Sequence, residues 1–283
     1  SPLGNKCKIT PRYFNYFFDF MSISIYIIAF NEEDKIGDCI KSALWADEII
    51  VADSFSTDKT SEISKNLGAK VIQIPFNGFG NLRNEAISYC QSDWIFSLDS
   101  DERFTNEVRN EILSITKNST SDIYRIPRRN FFMGRWIKYS GWYPNYRQPQ
   151  LFRNGKMKYS QDQVHEGFIS LSDKKIGVIK NSIWQIPFQN IEELISKTNR
   201  YSTLGVQKLI LKRQKSSFFI AFIHGLWSFL KHYIFKLGFL DGGPGFVIAV
   251  GNFEGTFYRY IKLVESNENW EPPLVTSSIE TKK

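Results

Sequence analysis

The run Leu98-Asp99-Ser100-Asp101-Glu102 directly follows the apolar stretch that starts at Trp94. Side chains at i and i+2 of an extended segment point the same way, so Asp99 and Asp101 are expected to converge. Two such carboxylates can hold a hard divalent cation, Mg²⁺ or Mn²⁺, and leave part of its shell to phosphate oxygens. That cation would offset the charge on a departing diphosphate. On a solvated loop the same two residues would do nothing; the preceding apolar strand gives them meaning.

Other chemistry-bearing residues are spread along the chain. Asp53 closes the run Glu48-Ile49-Ile50-Val51-Ala52 and leads into Ser54-Phe55-Ser56-Thr57-Asp58. A carboxylate there can accept from a base imide or from ribose hydroxyls, or can make an Asx turn, with Asp58 supporting the turn. In Gly78-Phe79-Gly80-Asn81-Leu82-Arg83-Asn84 the glycines allow close backbone approach, and Arg83 could reach a phosphate from the helix that follows. Val164-His165-Glu166 supplies a candidate general base in Glu166, with Asp162 in reserve. His165 could ligate the metal or orient the site. A solvated loop with one His and two acids would look the same. Trp142 and Tyr143, in Ser140-Gly141-Trp142-Tyr143-Pro144, suit sugar rings of an acceptor, or serve core and turn packing.

The elements that must position these residues are legible. Residues 23–30, 48–52, 70–74 and 94–98 read as strands, the first a buried one of a parallel sheet. Helices are expected between them: one after the caps in Asn31-Glu32-Glu33-Asp34, one from Ser56–Thr60 to a stop at Gly68, and one over Asn81–Cys90. This alternation predicts an α/β domain, a mostly parallel sheet with flanking helices. Ligands then sit at the carboxyl ends of the strands, where Asn31, Asp53 and Asp99 fall. From Ile123 to Trp142 the chain turns dense in Arg, aromatics and Gly, read as strands and long loops on the acceptor side. The expected organisation is a leader or added extension over 1–20, a nucleotide and acceptor domain over 21–190, a basic, aromatic helical region over 191–270, and a disordered tail over 271–283. The start, Ser-Pro-Leu-Gly, lacks the layout of a secretory leader, and Met21 directly precedes the first strand pattern. Alternatively, the aromatics of residues 1–20 pack somewhere.

The chain has 283 residues, a formal charge of +7 and 16% aromatics. This balance points to anionic partners: phosphates, acidic glycans or an anionic membrane surface, with no nucleic acid expected. Three cysteines, Cys7, Cys39 and Cys90, have no metal-ligand spacing and read as free thiols in a reducing compartment. Between Leu194 and Leu240 there is no acid and there are eight Lys or Arg. The apolar run Phe218–Leu230 inside it falls short of the roughly 20 residues of a membrane span. Its Lys and Arg flanks suit an interfacial helix on anionic lipid. A buried core helix or a homo-oligomer contact is the alternative.

In order, Ala-Phe-Asn-Glu-Glu, Val-Ala-Asp-Ser-Phe-Ser-Thr-Asp-Lys-Thr, Gly-Phe-Gly-Asn-Leu-Arg-Asn and Leu-Asp-Ser-Asp-Glu resemble the inverting family 2 glycosyltransferases of GT-A fold. The later Gly-Trp-Tyr-Pro, Gln-Leu-Phe-Arg and Val-His-Glu resemble the bacterial lipopolysaccharide-core β-glucosyltransferase branch, so the likeness runs from about residue 23 to about 265. The resemblance implies a UDP-sugar donor, a Mg²⁺ or Mn²⁺ cofactor, a lipopolysaccharide-core or other lipid-linked acceptor, and a cytoplasmic protein peripheral on the inner membrane. It implies that Ala29, Asn31 and Glu32 form the nucleotide-binding first loop and that Asp53 contacts the base. Arg83 would lie near the nucleotide or its phosphates. Asp99 would face ribose or metal, Asp101 the metal, and Glu166 would be the catalytic carboxylate. Trp142, Tyr143 and Arg153 fall on the acceptor side. Two departures stand out: Phe55 occupies a usual glycine position, and Gln150 precedes Leu151-Phe152-Arg153 where an Arg is common. Two further readings stay open. A sugar nucleotidyltransferase would need a glycine-rich, basic first loop, and this one is acidic. A non-catalytic membrane-associated binding module would not need Asp99, Asp101 and Glu166.

Overall fold

The computed structural model describes residues 21–144, 148–160 and 167–267. The four apolar runs form β1 (Ile23–Ala29), β2 (Glu48–Asp53), β3 (Lys70–Gln73) and β4 (Trp94–Asp99). They pair in parallel in the order β3-β2-β1-β4. Helices α1 (Glu33–Ala43), α2 (Thr60–Asn66) and α3 (Phe79–Ser88) connect them. β1 and β4 are almost continuously apolar because both faces of the sheet are covered. Ile25, Ile27 and Phe96 belong to the core on one face, Tyr26, Ile50 and Ile95 to that on the other.

The cap of α1 differs from expectation. Glu32 occupies the cap position without a side-chain capping bond. The orphan amides are met from the loop before α2 instead: Thr60 Oγ1 accepts from Glu32 N at 2.8 Å and Asp58 Oδ2 from Glu33 N at 3.0 Å. In return Glu33 Oε2 accepts from Lys59 N at 3.0 Å. The two helix starts cap each other and lock the first two loops together. Gly68 stops α2 as expected, with φ of 86°.

After β4 the chain gives β5 (Glu102–Arg103), α4 (Asn106–Lys117), β6 (Ile123–Arg125), β7 (Arg128–Phe132), β8 (Arg135–Ile137) and β9 (Pro149–Arg153). Then come β10 (Met157–Tyr159), β11 (Phe168–Ser170), β12 (Gly177–Val178) and β13 (Ile183–Gln185). β9 joins β4 antiparallel and carries β6 and β12, completing a seven-stranded sheet. A second sheet, in the order β5-β13-β7-β8, joins two strands of the stretch expected as strands and long loops, β7 and β8, to β5 and β13. It stands beside the carboxyl end of β4 because β5 follows that strand almost at once.

The C-terminal part is helical: α5 (Ile191–Leu211), α6 (Phe218–Leu230) and α7 (Gly243–Asn267). α6 runs on into a π-helical turn, Lys231–Phe235, and a 3₁₀ turn, Gly238–Asp241. α7 packs against both α5 and α6. The buried carboxylate of Asp241 accepts from Lys138 N, Tyr139 N and Ser140 Oγ, each at 3.0 Å, and so fastens this region to the loop that holds Trp142. On α6 the small residues Ala221 and Gly225 face inward, Gly225 beside Phe253 and Phe257. The large ones face out, with Phe219 73% and Trp227 56% exposed. Phe218–Phe235 is long and apolar enough to cross a membrane by length and composition alone, and 11% of it is buried.

Candidate functional site

A cavity of about 930 Å³ opens at the carboxyl ends of β1 and β4. Ala29, Glu32, Arg83, Asp99 and Asp101 line its sheet side, and α5 and α7 close the other with Leu194, Lys197, Ile248 and Asn252. At this size the cavity sits near the top of the roughly 300–1,000 Å³ range of ligand pockets.

The two aspartates reach it by another route than strand alternation. β4 ends at Asp99, and Ser100-Asp101 is a turn, so each carboxylate takes its own direction. Asp99 Oδ1 accepts from Arg83 Nη2 at 2.7 Å, while Arg83 Nη1 donates to Ser97 Oγ at 2.7 Å. The guanidinium also lies 5.4 Å from the centre of the Tyr159 ring. Among the described residues the Asp101 side chain receives Gln185 Nε2 alone, at 3.2 Å to each oxygen. Burial, then the charges of Asp99 and Glu102, push the Asp101 carboxyl up to about 7.

Glu102 holds this turn together, a role its sequence position did not disclose. It is fully buried, ion-paired to the Arg128 guanidinium and bonded by Gln150 Nε2 at 2.7 Å. Its Oε2 also accepts from Asp99 N at 3.0 Å. The guanidinium of Arg103 donates to Ser100 O, Glu102 O and Lys35 O, each at 2.8 Å. The backbone that presents Asp101 is therefore fixed on both sides. Gln150, the residue in the usual arginine position, is spent on Glu102 and Ser97 O rather than turned to the cavity. Its only sequence signal was the departure itself.

The first loop splits into two roles. Ala29 and Glu32 line the cavity; Asn31 and Asp53 are not among its lining. Asn31 adopts a left-handed φ of 53°, and its Oδ1 accepts from Thr57 N at 2.8 Å, tying β1 to the loop after β2. Asp53 is fully buried, held by Ser56 Oγ and by Gln73 Nε2 at 2.9 Å. Its carboxylate therefore ties the loop at Ser56 to β3 at Gln73. Phe55, at the usual glycine position, also has a left-handed φ, 60°, with its ring 58% exposed.

Glu32 joins the sheet side to the helical side. Lys35, 4% exposed, pairs with Glu32 at 3.6 Å and with Glu193 of α5, which also takes Lys197 at 3.0 Å. Burial raises the Glu32 carboxyl against the pull of Lys35. Of the acceptor-side residues, Trp142 lines the cavity and packs with Phe132 and Phe188, each ring 6.2 Å away. Tyr143 is not among the lining; it meets Trp136 edge-on at 5.4 Å. Arg153 is placed elsewhere, contrary to the expectation for it. It pairs in register with Trp94, at the opposite end of β4, with its guanidinium on the Trp94 ring and against Asp122. Asp162, His165 and Glu166 lie outside the described residues. Among the described residues no group of three His, Cys, Asp or Glu could hold a metal ion. Cys39 and Cys90 are buried free thiols.

The sequence profile of the family described as Glycosyl transferase family 2 matches residues 24–174. An uncharacterised glycosyltransferase of Rickettsia conorii is 30% identical over 263 residues, 87% of this chain and 90% of that protein. The lipopolysaccharide core biosynthesis glycosyltransferase LpsC of Rhizobium meliloti is 28% identical over 254 residues, 85% of this chain and 90% of that one. A crystal structure of residues 1–349 of S. aureus TarS aligns with a TM-score of 0.46 and 18% identity, covering 86% of this chain and 83% of that chain.

Proposed function

The chain belongs to glycosyl transferase family 2 and is a glycosyltransferase, and on that premise we propose that it moves a hexose, with inversion, from a UDP-sugar to a hydroxyl of a lipopolysaccharide-core or other lipid-linked glycan. The observation that carries this reading is the placement of Asp101, beside the Arg83–Asp99 pair, on a cavity whose far wall holds Trp142.

Asp101 fits a divalent cation, Mg²⁺ or Mn²⁺. Its ionised form is disfavoured by burial and by the charges of Asp99 and Glu102, and a cation relieves all of these. When bound, the cation supplies charge neutralisation for the leaving diphosphate. The protein's own residues do the rest. Arg83 orients Asp99 toward the ribose or the metal, and Trp142 offers its face to the acceptor ring. In the transfer the acceptor oxygen bonds to the anomeric carbon from the side opposite the diphosphate. The acceptor proton passes to a carboxylate, Glu166 with Asp162 in reserve and His165 adjacent. The bond from the anomeric carbon to the diphosphate oxygen breaks with its electron pair on the diphosphate.

The acceptor's lipid context agrees with α6. A helix with small residues inward and Phe219 and Trp227 outward is the reverse of a water-facing surface. With Lys231 and Lys236 at its end it suits the interface of an anionic membrane, the cytoplasmic face of the inner membrane in this reading.

A thermal-shift panel of UDP-, GDP- and CMP-sugars with Mn²⁺ tests the donor assignment. Stabilisation by UDP-sugar above the others is expected. Stabilisation by GDP- or CMP-sugar alone, or by none, overturns it. Labelled donor with lipopolysaccharide-core acceptor then reports transfer.

A further inference from the structure

The cavity is electrically lopsided. Its acids, Glu32, Asp99 and Asp101, lie on the sheet side, and two of its three cations, Lys197 and Arg200, come from α5. The cations differ in what they already hold. Arg83 is committed to Asp99 and Ser97. Lys197 pairs with Glu193 at 3.0 Å and donates to Pro187 O at 2.9 Å. Arg200 makes no hydrogen bond or ion pair among the described residues, although it lines the cavity. A guanidinium presents five donors in a fixed fork that matches carboxylate or phosphate oxygens. Its neighbours also suit a sugar. Tyr201 lines the same wall, and Asn252 of α7 uses its amide nitrogen on Ile248 O at 2.8 Å, which leaves its carbonyl oxygen for a hydroxyl.

We infer that Arg200 binds an anionic substituent of the acceptor, so that the sugar accepting the new bond carries, or adjoins, a phosphate ester or a carboxylate. This rests on the glycosyl-transfer reading and adds the acceptor's chemical class and the residue that selects it. In the donor reading above, the diphosphate would be met on the sheet side by the cation that Asp101 would hold. The α5 cation is left for the second substrate. The formal charge of +7 for the whole chain agrees with an anionic acceptor but does not locate it.

The test is titration calorimetry on the full chain loaded with UDP and Mn²⁺, using glucose, glucose 6-phosphate and glucuronate as probes. Both anionic sugars, or one of them, bind at least about tenfold more tightly than glucose, about 1.4 kcal/mol. The arm that wins identifies phosphate or carboxylate. Arg200→Gln brings that probe to the level of glucose, and Arg200→Lys restores part of the preference. Equal binding of the three probes, or a preference that survives Arg200→Gln, overturns the assignment. UDP titrated into the wild-type chain with Mn²⁺ is read separately. If UDP fails to bind there, the donor reading falls, and the probes, repeated without nucleotide, still judge Arg200. Arg200 is exposed, so both variants keep the fold, and a thermal melt checks this.

Discussion

Arg83 and Asp99 form an ion pair of 2.7 Å, and the pair separates the duties of two aspartates that the sequence presents as equivalent. With one oxygen of Asp99 engaged by a guanidinium and Asp101 held, among the described residues, by a side-chain amide alone, the less neutralised carboxylate is Asp101. In the donor reading proposed above, that is where a cation would be held.

Arg83→Lys tests how much the fork matters. An ammonium keeps the charge but cannot span Asp99 and Ser97 together as the guanidinium does. UDP affinity in Mn²⁺ should fall about tenfold, roughly 1.4 kcal/mol by calorimetry. An unchanged affinity would remove Arg83 from the nucleotide side of the cavity.

Asp101→Asn should abolish metal-dependent donor turnover and yet stabilise the metal-free protein. The Asp101 carboxyl is pushed up to about 7 in the fold, so the native state holds that proton more tightly than the unfolded chain. Its contribution is fully present below the unfolded value near ~4 and is lost as pH rises through about 7, by at most ~1.4 kcal/mol per pH unit. Melts in EDTA should therefore show the variant gaining on the wild type from about pH 4 to about pH 7 and levelling off above that. Mn²⁺ should stabilise the wild type more strongly as pH rises. A difference between the two proteins that ignores pH would sink this account.

Glu102→Ala should unfold the protein more readily than any change at Asp99 or Asp101. It takes the Glu102 carboxylate away from the Arg128 guanidinium, 6% exposed, and removes an acceptor from Gln150 and Asp99 N. Breaking one half of such a buried pair costs about 3–5 kcal/mol. Urea unfolding measures it, and a loss under about 1 kcal/mol would contradict the structural role.

Phe55→Gly should be neutral or stabilising. A left-handed φ costs a side-chain-bearing residue roughly 1–2 kcal/mol, against ~0.5–1 kcal/mol of added chain entropy for glycine. The ring is largely exposed, so little packing is lost. If melting shows a drop of more than about 1 kcal/mol, Phe55 has a contact with ligand or partner worth finding.

Membrane association is tested by Phe219→Glu with Trp227→Glu, two exposed positions on α6. The wild type should sediment with vesicles containing phosphatidylglycerol and be released by salt, while the double variant stays in solution. Equal binding of both proteins would exclude α6 as the membrane contact.

The parallel core was written in the sequence. Strands β1 to β4 and the stop of α2 at Gly68 follow from apolar runs and turn residues, which act over a few neighbours. So does the location of Asp99 at a strand end, with Asp101 just beyond it. Other features depend on contacts between distant segments, which local periodicity does not carry. The cap of α1 comes from Asp58 and Thr60, some 25 residues on. Glu102 is buried only because Arg128 and Gln150 arrive from β7 and β9 to satisfy it. Asp53 and Asn31 turned out to be loop braces, and Arg153 to stand at the far end of the sheet, since alternation and order along the chain do not say which neighbours a polar group will find. The wall that makes the site a cavity, with Lys197 and Arg200 opposite Asp101, exists only once α5 and α7 fold back over the sheet edge. The sequence determined which residue types stand at the strand ends; the tertiary packing decided which of them face a ligand, because burial and charge pairing are set by what lies across space rather than by what is next in the chain.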